Sequence, residues 1–392
     1  MDYTRFLPAA VQAALRFDPP GAWIPELPPG CIRLSAGYPA AELVPAQQMV
    51  QATANLVNSE YDLPFHYAGS PAAMALPNLI LQRLMERQIQ AAADNLLITA
   101  GSCQALDLVA HALIDGTTTV AVEGPTYMEA LEIFHNYTDR VVSYPVDGEG
   151  LQVDAFEEDL IRRRAGNQPI PGLLYTIPSF QNPTGTTVSL DRRRRLLDLA
   201  QEYDFLILED DAYGELSFAK PPIPLKAMDD SGRVIHLGSL SKVVAPGLRI
   251  GWIVASPKLV EAFSWFKKDL GHPVTEGAVA KYLESEPLSA RVLTLREAYR
   301  KRRDHMLQAL RRYMPDRVSW RTPDGGFFIW LEVENADTKA LLPRSLATGV
   351  AYVPGTYFYH EPGQGANALR LSFSHVDFQS MEKGVELLAG LL

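Results

Sequence analysis

Short apolar runs alternate with longer amphipathic stretches through the first two thirds of the chain. The runs fall at residues 96–100, 118–123, 172–177, 205–209, 234–238 and 249–255, and each predicts a strand. Between them, apolar residues recur at helical spacing, as in Leu106, Val109, Ala110 and Leu113, or in Leu196, Leu199, Ala200 and Tyr203. Strand and helix in alternation predict an α/β fold built on a mostly parallel sheet. After about residue 280 the texture changes. A long charged helix, from Pro287 to Tyr313, precedes the strand-like stretches Phe327–Trp330, Val350–Val353 and Asn367–Phe373, which predicts a smaller α+β domain. The expected division is an N-terminal segment (1–50), a large domain (51–280) and a C-terminal small domain (281–392). No internal repeat interrupts this plan, and Pro19-Pro20 to Pro28-Pro29 reads as an extended proline-rich loop.

The groups able to do chemistry follow the predicted strands. Gly101-Ser102, Asn182, Asp210 and Ser239 each come at or just after a strand end, where ligands gather in open α/β sheets. Gly101-Ser102 also opens a helix, whose free amides and dipole favour an anion. Ser239 begins a segment that reads as strand, turn, strand and holds Ser241, Lys242, Pro246-Gly247 and Arg249. A lysine used for Schiff-base chemistry must be part-neutral, which burial or a cationic neighbour such as Arg249 favours. The two serines and the arginine suit a phosphate. Asp210 and Asp211 compete as the acid at the end of one buried strand, and Arg370, set among apolar residues, needs an anion.

Composition narrows the function. With 47% hydrophobic and 21% charged residues, the 392-residue chain reads as a globular enzyme with a large core. A net charge of −10 argues against nucleic acid as a partner. Arg192 to Arg195 is the one sharp basic run, and its place before a helical stripe reads as a solvated face. Cys31 and Cys103 fit no metal or disulfide framework, and no signal or membrane-spanning stretch is found. The expectation is a cytoplasmic protein with no membrane partner.

The Ser239–Trp252 segment resembles the pyridoxal-phosphate lysine signature of the class I/II aminotransferases, of PLP-dependent transferase fold type I. Other motifs extend the resemblance in order from Gly37 to Arg370: Asn182-Pro-Thr-Gly, Asp210-x-x-Tyr213 and the late arginine. The pattern is most similar to the aminoadipate/kynurenine-type branch, which also supplies the effector half of some transcriptional regulators. The resemblance implies pyridoxal 5′-phosphate on Lys242 as a Schiff base, with Asp210 at the pyridinium, Tyr213 and Asn182 at the ring oxygen and Tyr127 stacked on the ring. It implies Ser102, Cys103, Ser239, Ser241 and Arg249 around the phosphate. Arg370 with Asn182 would take the substrate α-carboxylate, under a segment carrying Gly37 and Tyr38. It further implies that the N-terminal segment joins the small domain, and that a homodimer forms in which Tyr67 serves the partner's phosphate.

The implied reaction is ping-pong transfer of an amino group from an L-amino acid to a 2-oxo acid, with Lys242 moving the α-proton. The stretch from Asp18 to Pro28 contains no Lys or Arg, which points to an apolar or aromatic donor, with 2-oxoglutarate as acceptor. Arg16 and Arg33 are the cations that would reverse this. The same scaffold supports a β-lyase or a decarboxylase. A regulatory, non-catalytic domain fits less well, because Gly37 comes early and the chain is acidic.

Overall fold

The computed structural model describes residues 3–8, 11–12, 15, 21, 26–67, 69–269 and 271–392. Asp18 to Pro20, Ala22 to Pro25 and Arg16 lie outside them, so most of the proline-rich loop is not described.

A short strand, β1 (Ile32–Arg33), comes first. Eight strands follow: β2 (Leu96–Thr99), β3 (Val120–Gly124), β4 (Val141–Asp147), β5 (Gly150–Leu151), β6 (Leu173–Thr176), β7 (Leu206–Asp210), β8 (Val234–Ser239) and β9 (Gly251–Val254). They form one sheet in the order β2-β9-β8-β7-β6-β3-β4-β5. The run from β8 to β4 is parallel, while β9 and β5 pair antiparallel. All six predicted strands are present. The pair β4–β5 was not predicted, because Ser143, Pro145 and Asp147 interrupt the apolar pattern of a strand near the sheet's edge.

Helices cover this sheet and turn their apolar stripes inward. Leu106 and Val109 of the helix Ser102–Leu113 are fully buried, as are Leu196 and Leu199 of the helix Leu190–Tyr203. The basic run at the head of the second helix departs from expectation. Arg194 is solvated, but Arg193 is only 1% exposed. It lies on the same face as Leu196 and Ala200, one turn earlier, and so points inward. Its guanidinium donates to the carbonyls of Val188 (2.9 Å) and Ile223 (3.0 Å), to Pro178, and to the Ser179 hydroxyl (3.0 Å). It therefore ties down the segment that leads into Asn182.

Beyond the long helix Leu288–Tyr313 lie β10 (Val318–Trp320), β11 (Phe328–Val333), β12 (Val350–Ala351), β13 (Val353–Pro354) and β14 (Ala368–Ser372). Four of these make an antiparallel sheet in the order β10-β11-β14-β13. β12 instead pairs parallel with β1. The amide of Ser372 adds a 2.7 Å bond to the Leu34 carbonyl, so the segment after β1 is held by the far end of the chain.

Candidate active site

The ends of β2, β3, β6, β7 and β8 open on one cavity of about 360 Å³. Every candidate residue except Tyr67 lines it. Tyr67 is 89% exposed and lies apart.

Lys242 follows β8 and is enclosed by the cavity wall. Its amine donates to the Gly37 carbonyl at 3.1 Å and stands 5.8 Å from the centre of the Tyr213 ring. Burial, together with the Arg370 charge, depresses the amine to about 8. The cation expected to do this was Arg249. In the structure Arg249, itself left-handed (φ 52°) after the Pro246–Leu248 turn, donates instead to the Ala100 carbonyl at 3.0 Å.

Asp210 closes β7. The Tyr175 phenol, from neighbouring β6, donates to its Oδ2 at 2.9 Å, while Oδ1 is buried and bonded to nothing among the described residues. Burial raises this carboxyl to about 6. Asp211 faces the other way and is ion-paired with Arg87, which leaves Asp210 as the acid facing the cavity. Tyr213 lies beside it, packed edge-on against Phe328 at 5.6 Å.

The anion cradle is built from backbone as much as from side chains. Gly101, at φ 84°, is the N-cap of the helix Ser102–Leu113, so the Ser102 hydroxyl is not spent on capping. A Cβ at Gly101 would stand 2.5 Å from the Arg249 guanidinium, and one at Gly251 would stand 2.9 Å from the Ser102 amide. Ser239 Oγ bonds Ser241 Oγ at 2.8 Å on the same wall. Arg249 donates only to backbone carbonyls, which leaves its charge without a counter-ion among the described residues.

Arg370, in β14, is 3% exposed. It donates to Asn182 Oδ1 at 2.7 Å and to the Ser35 carbonyl at 2.8 Å, and its Nε has no partner among the described residues. The Phe328 ring lies under it, 4.1 Å away. The Gly37 backbone passes close by; a Cβ there would reach Phe328 at 3.1 Å. Tyr38, half-exposed, stands edge-on to His375.

Three residues were missed by sequence reasoning. Tyr175 and Glu123 sit inside apolar strand runs, and Glu123, fully buried, accepts from the Gln181 side chain (2.7 Å) and the Ile177 amide (3.0 Å) ahead of Asn182. Glu129, two residues past Tyr127, lines the cavity and accepts from the Tyr127 phenol and the Cys103 thiol. Burial and this carboxylate push the thiol up to about 11.

The residues fit a phosphopyridoxyl group. An orphaned buried carboxylate oxygen, a depressed lysine and an anion cradle that a Cβ would fill are the three features such a group needs. The profile of "Aminotransferase class I and II" matches residues 29–388.

The chain belongs to the class I and II aminotransferases.

Among relatives of this aminotransferase is "Aromatic-amino-acid aminotransferase 1" of Thermococcus litoralis, 39% identical over 91% of this chain and 87% of the relative. Pyrococcus horikoshii kynurenine aminotransferase, solved with PMP, superposes with a TM-score of 0.86 at 37% identity, covering 92% and 90% of the two chains. The α-aminoadipate aminotransferase of Thermus thermophilus, complexed with N-(5′-phosphopyridoxyl)-L-leucine, superposes with a TM-score of 0.88 at 33% identity, covering 100% and 98%. The aminotransferase thus has fold type I and uses pyridoxal 5′-phosphate. When bound, this cofactor supplies an electron sink for the pair left on the substrate Cα.

Proposed function

We propose that the enzyme moves the amino group of an apolar or aromatic L-amino acid to 2-oxoglutarate by ping-pong kinetics. The carrying observation is the cavity wall. Leu27, Tyr38 and Met128 offer apolar surface to a donor side chain; Arg33, one of the two cations that would reverse this preference, also lines the cavity, and we assign its charge to the distal carboxylate of the acceptor. The relatives named for aromatic amino acids and kynurenine, and the leucine adduct held by the α-aminoadipate aminotransferase, support this reading.

In this assignment Asp210 faces the ring nitrogen, Tyr213 and Asn182 its oxygen, and Tyr127 its face. Ser102, Cys103, Ser239, Ser241 and Arg249 hold the phosphate. Arg370 binds the α-carboxylate, assisted by Asn182, below the segment of Gly37 and Tyr38. Lys242, part-neutral near pH 8, takes the α-proton and returns it.

The reading extends to a cytoplasmic homodimer with a domain division at residues 50 and 280. Tyr61, Phe65 and Tyr67 expose apolar rings along one short segment, a surface suited to a second copy in which Tyr67 reaches the partner's phosphate. Among the described residues no helix is long and apolar enough to cross a membrane.

The test is the visible absorption band of the cofactor-loaded protein, followed while single L-amino acids are added without any oxo acid. Bleaching by apolar or aromatic donors, reversed by 2-oxoglutarate, is expected. A band that no donor bleaches would remove the transfer reaction, and pyruvate with ammonia released from a cysteine conjugate would replace it with a lyase. Sedimentation of an active monomer would overturn the role of Tyr67.

A further inference from the structure

Once each charge in the cavity has been given a task, one remains. Lys242, Asp210, Arg249 and Arg370 serve the cofactor and the α-carboxylate, and Arg33 the acceptor. Glu129 serves none of these, although it lines the same cavity. It stands in the first turn of the helix Met128–His135, whose N-cap is Tyr127 itself. The ring and the carboxylate therefore emerge side by side from one helix start. The Tyr127 phenol donates to Glu129 Oε2, and the Cys103 thiol, from the cradle wall, reaches the same oxygen at 3.3 Å.

We propose that Glu129 is a positioning residue that holds the Tyr127 ring flat against the cofactor space by accepting its phenol hydrogen, and that it links this ring to Cys103 on the cradle wall. Apolar packing confines the Tyr127 ring on its sides but leaves the tilt of its phenol end unfixed. A charged acceptor fixed in a helix's first turn removes that freedom, and a hydrogen bond to a charged group is among the stronger kinds. The backbone amides at the helix start favour the carboxylate in turn. The proposal rests on the assignment of Tyr127 to the cofactor's face.

The cofactor affinity alone cannot isolate this role, because removing Glu129 also removes a negative charge from the neighbourhood of a phosphate. A double-mutant cycle isolates the pair. The dissociation constant of pyridoxal phosphate would be measured by fluorescence quenching for the wild type, Tyr127→Phe, Glu129→Ala and the double variant, with thermal melts of each. Tyr127→Phe is expected to weaken binding about tenfold in the wild-type background and less than about twofold once Glu129 is gone. Glu129→Gln, which keeps an acceptor, should preserve most of the sensitivity to Tyr127→Phe. Glu129→Met repeats the cycle should the alanine variant fail to fold.

If Tyr127→Phe costs the same in both backgrounds, the proposal is overturned and Glu129 only stabilises its helix, a role visible in the melts. Tyr127→Ala separates the two levels of failure. If it leaves the affinity unchanged, Tyr127 does not face the cofactor, and the assignment beneath the proposal falls with it.

Discussion

Arg370 gives a guanidinium proton to Asn182 Oδ1 at 2.7 Å and meets no carboxylate among the described residues, although it is 3% exposed. A buried cation held by neutral oxygens alone is incompletely compensated, and burial lowers it to about 10. In the proposed assignment the substrate carboxylate would supply the missing charge. Arg370→Ala should therefore lower kcat/KM for every amino donor by about a hundredfold or more, since two charge-assisted bonds are lost. Steady-state kinetics would check this, with the visible band of the bound cofactor retained.

Lys242 should make reconstitution pH-dependent. Only the neutral amine condenses with an aldehyde, and this amine is depressed to about 8 where an ordinary lysine titrates near 10.4. The rate at which pyridoxal phosphate restores the visible band should rise about tenfold per pH unit below 8 and level off above it. Lys242→Ala should form no such band. A rate still climbing steeply at pH 9.5 would count against the depressed amine.

Asp210 ties the stability of the cofactor-free protein to pH. Its folded value of about 6 lies above the unfolded carboxylate near 3.9, so the fold is penalised wherever the folded group must ionise. The penalty is full above about pH 6, fades as pH falls through that value and is gone below about 4. Cofactor-free wild type should therefore gain on the order of 2 kcal/mol relative to Asp210→Asn between pH 7.5 and 4.5 in denaturant titrations. Bound cofactor, whose ring nitrogen the proposed assignment sets against Asp210, would compensate the carboxylate, and the difference should disappear.

Arg193→Ala should destabilise the fold by about 3 kcal/mol, an effect expected when a buried charge's partners are left unsatisfied. Three carbonyls and a hydroxyl would lose their donor, and two of these partners, Pro178 and Ser179, precede Asn182. Urea denaturation would read the loss directly. A weaker bond from Arg370 to Asn182 should appear beside it as a raised KM for the amino donor.

The parallel layer was legible because its strands are short, apolar and regularly spaced, and the site was legible because its parts follow strand ends. What escaped notice has physical reasons. Strand β4 carries Pro145 and polar residues near an edge where one face needs no apolar cover. Arg193 was concealed by its neighbours, for three flanking arginines made the run look solvated although its own position falls on the Leu196 face. The cation that depresses Lys242 was sought seven residues away and comes instead from Arg370, which the fold, not the sequence distance, brings near. Glu129 looked like any helix-forming glutamate until its two donors were seen.

The segment that carries Gly37 takes much of its support from residues far along the chain. Leu34 is bonded to Ser372, Ser35 to Arg370 and Gly37 to Lys242, partners that all lie more than two hundred residues further on. The cavity wall from Leu34 to Gly37 is therefore held by contacts reaching from Lys242 to Ser372, so this part of the site forms with the tertiary fold and not with any local element.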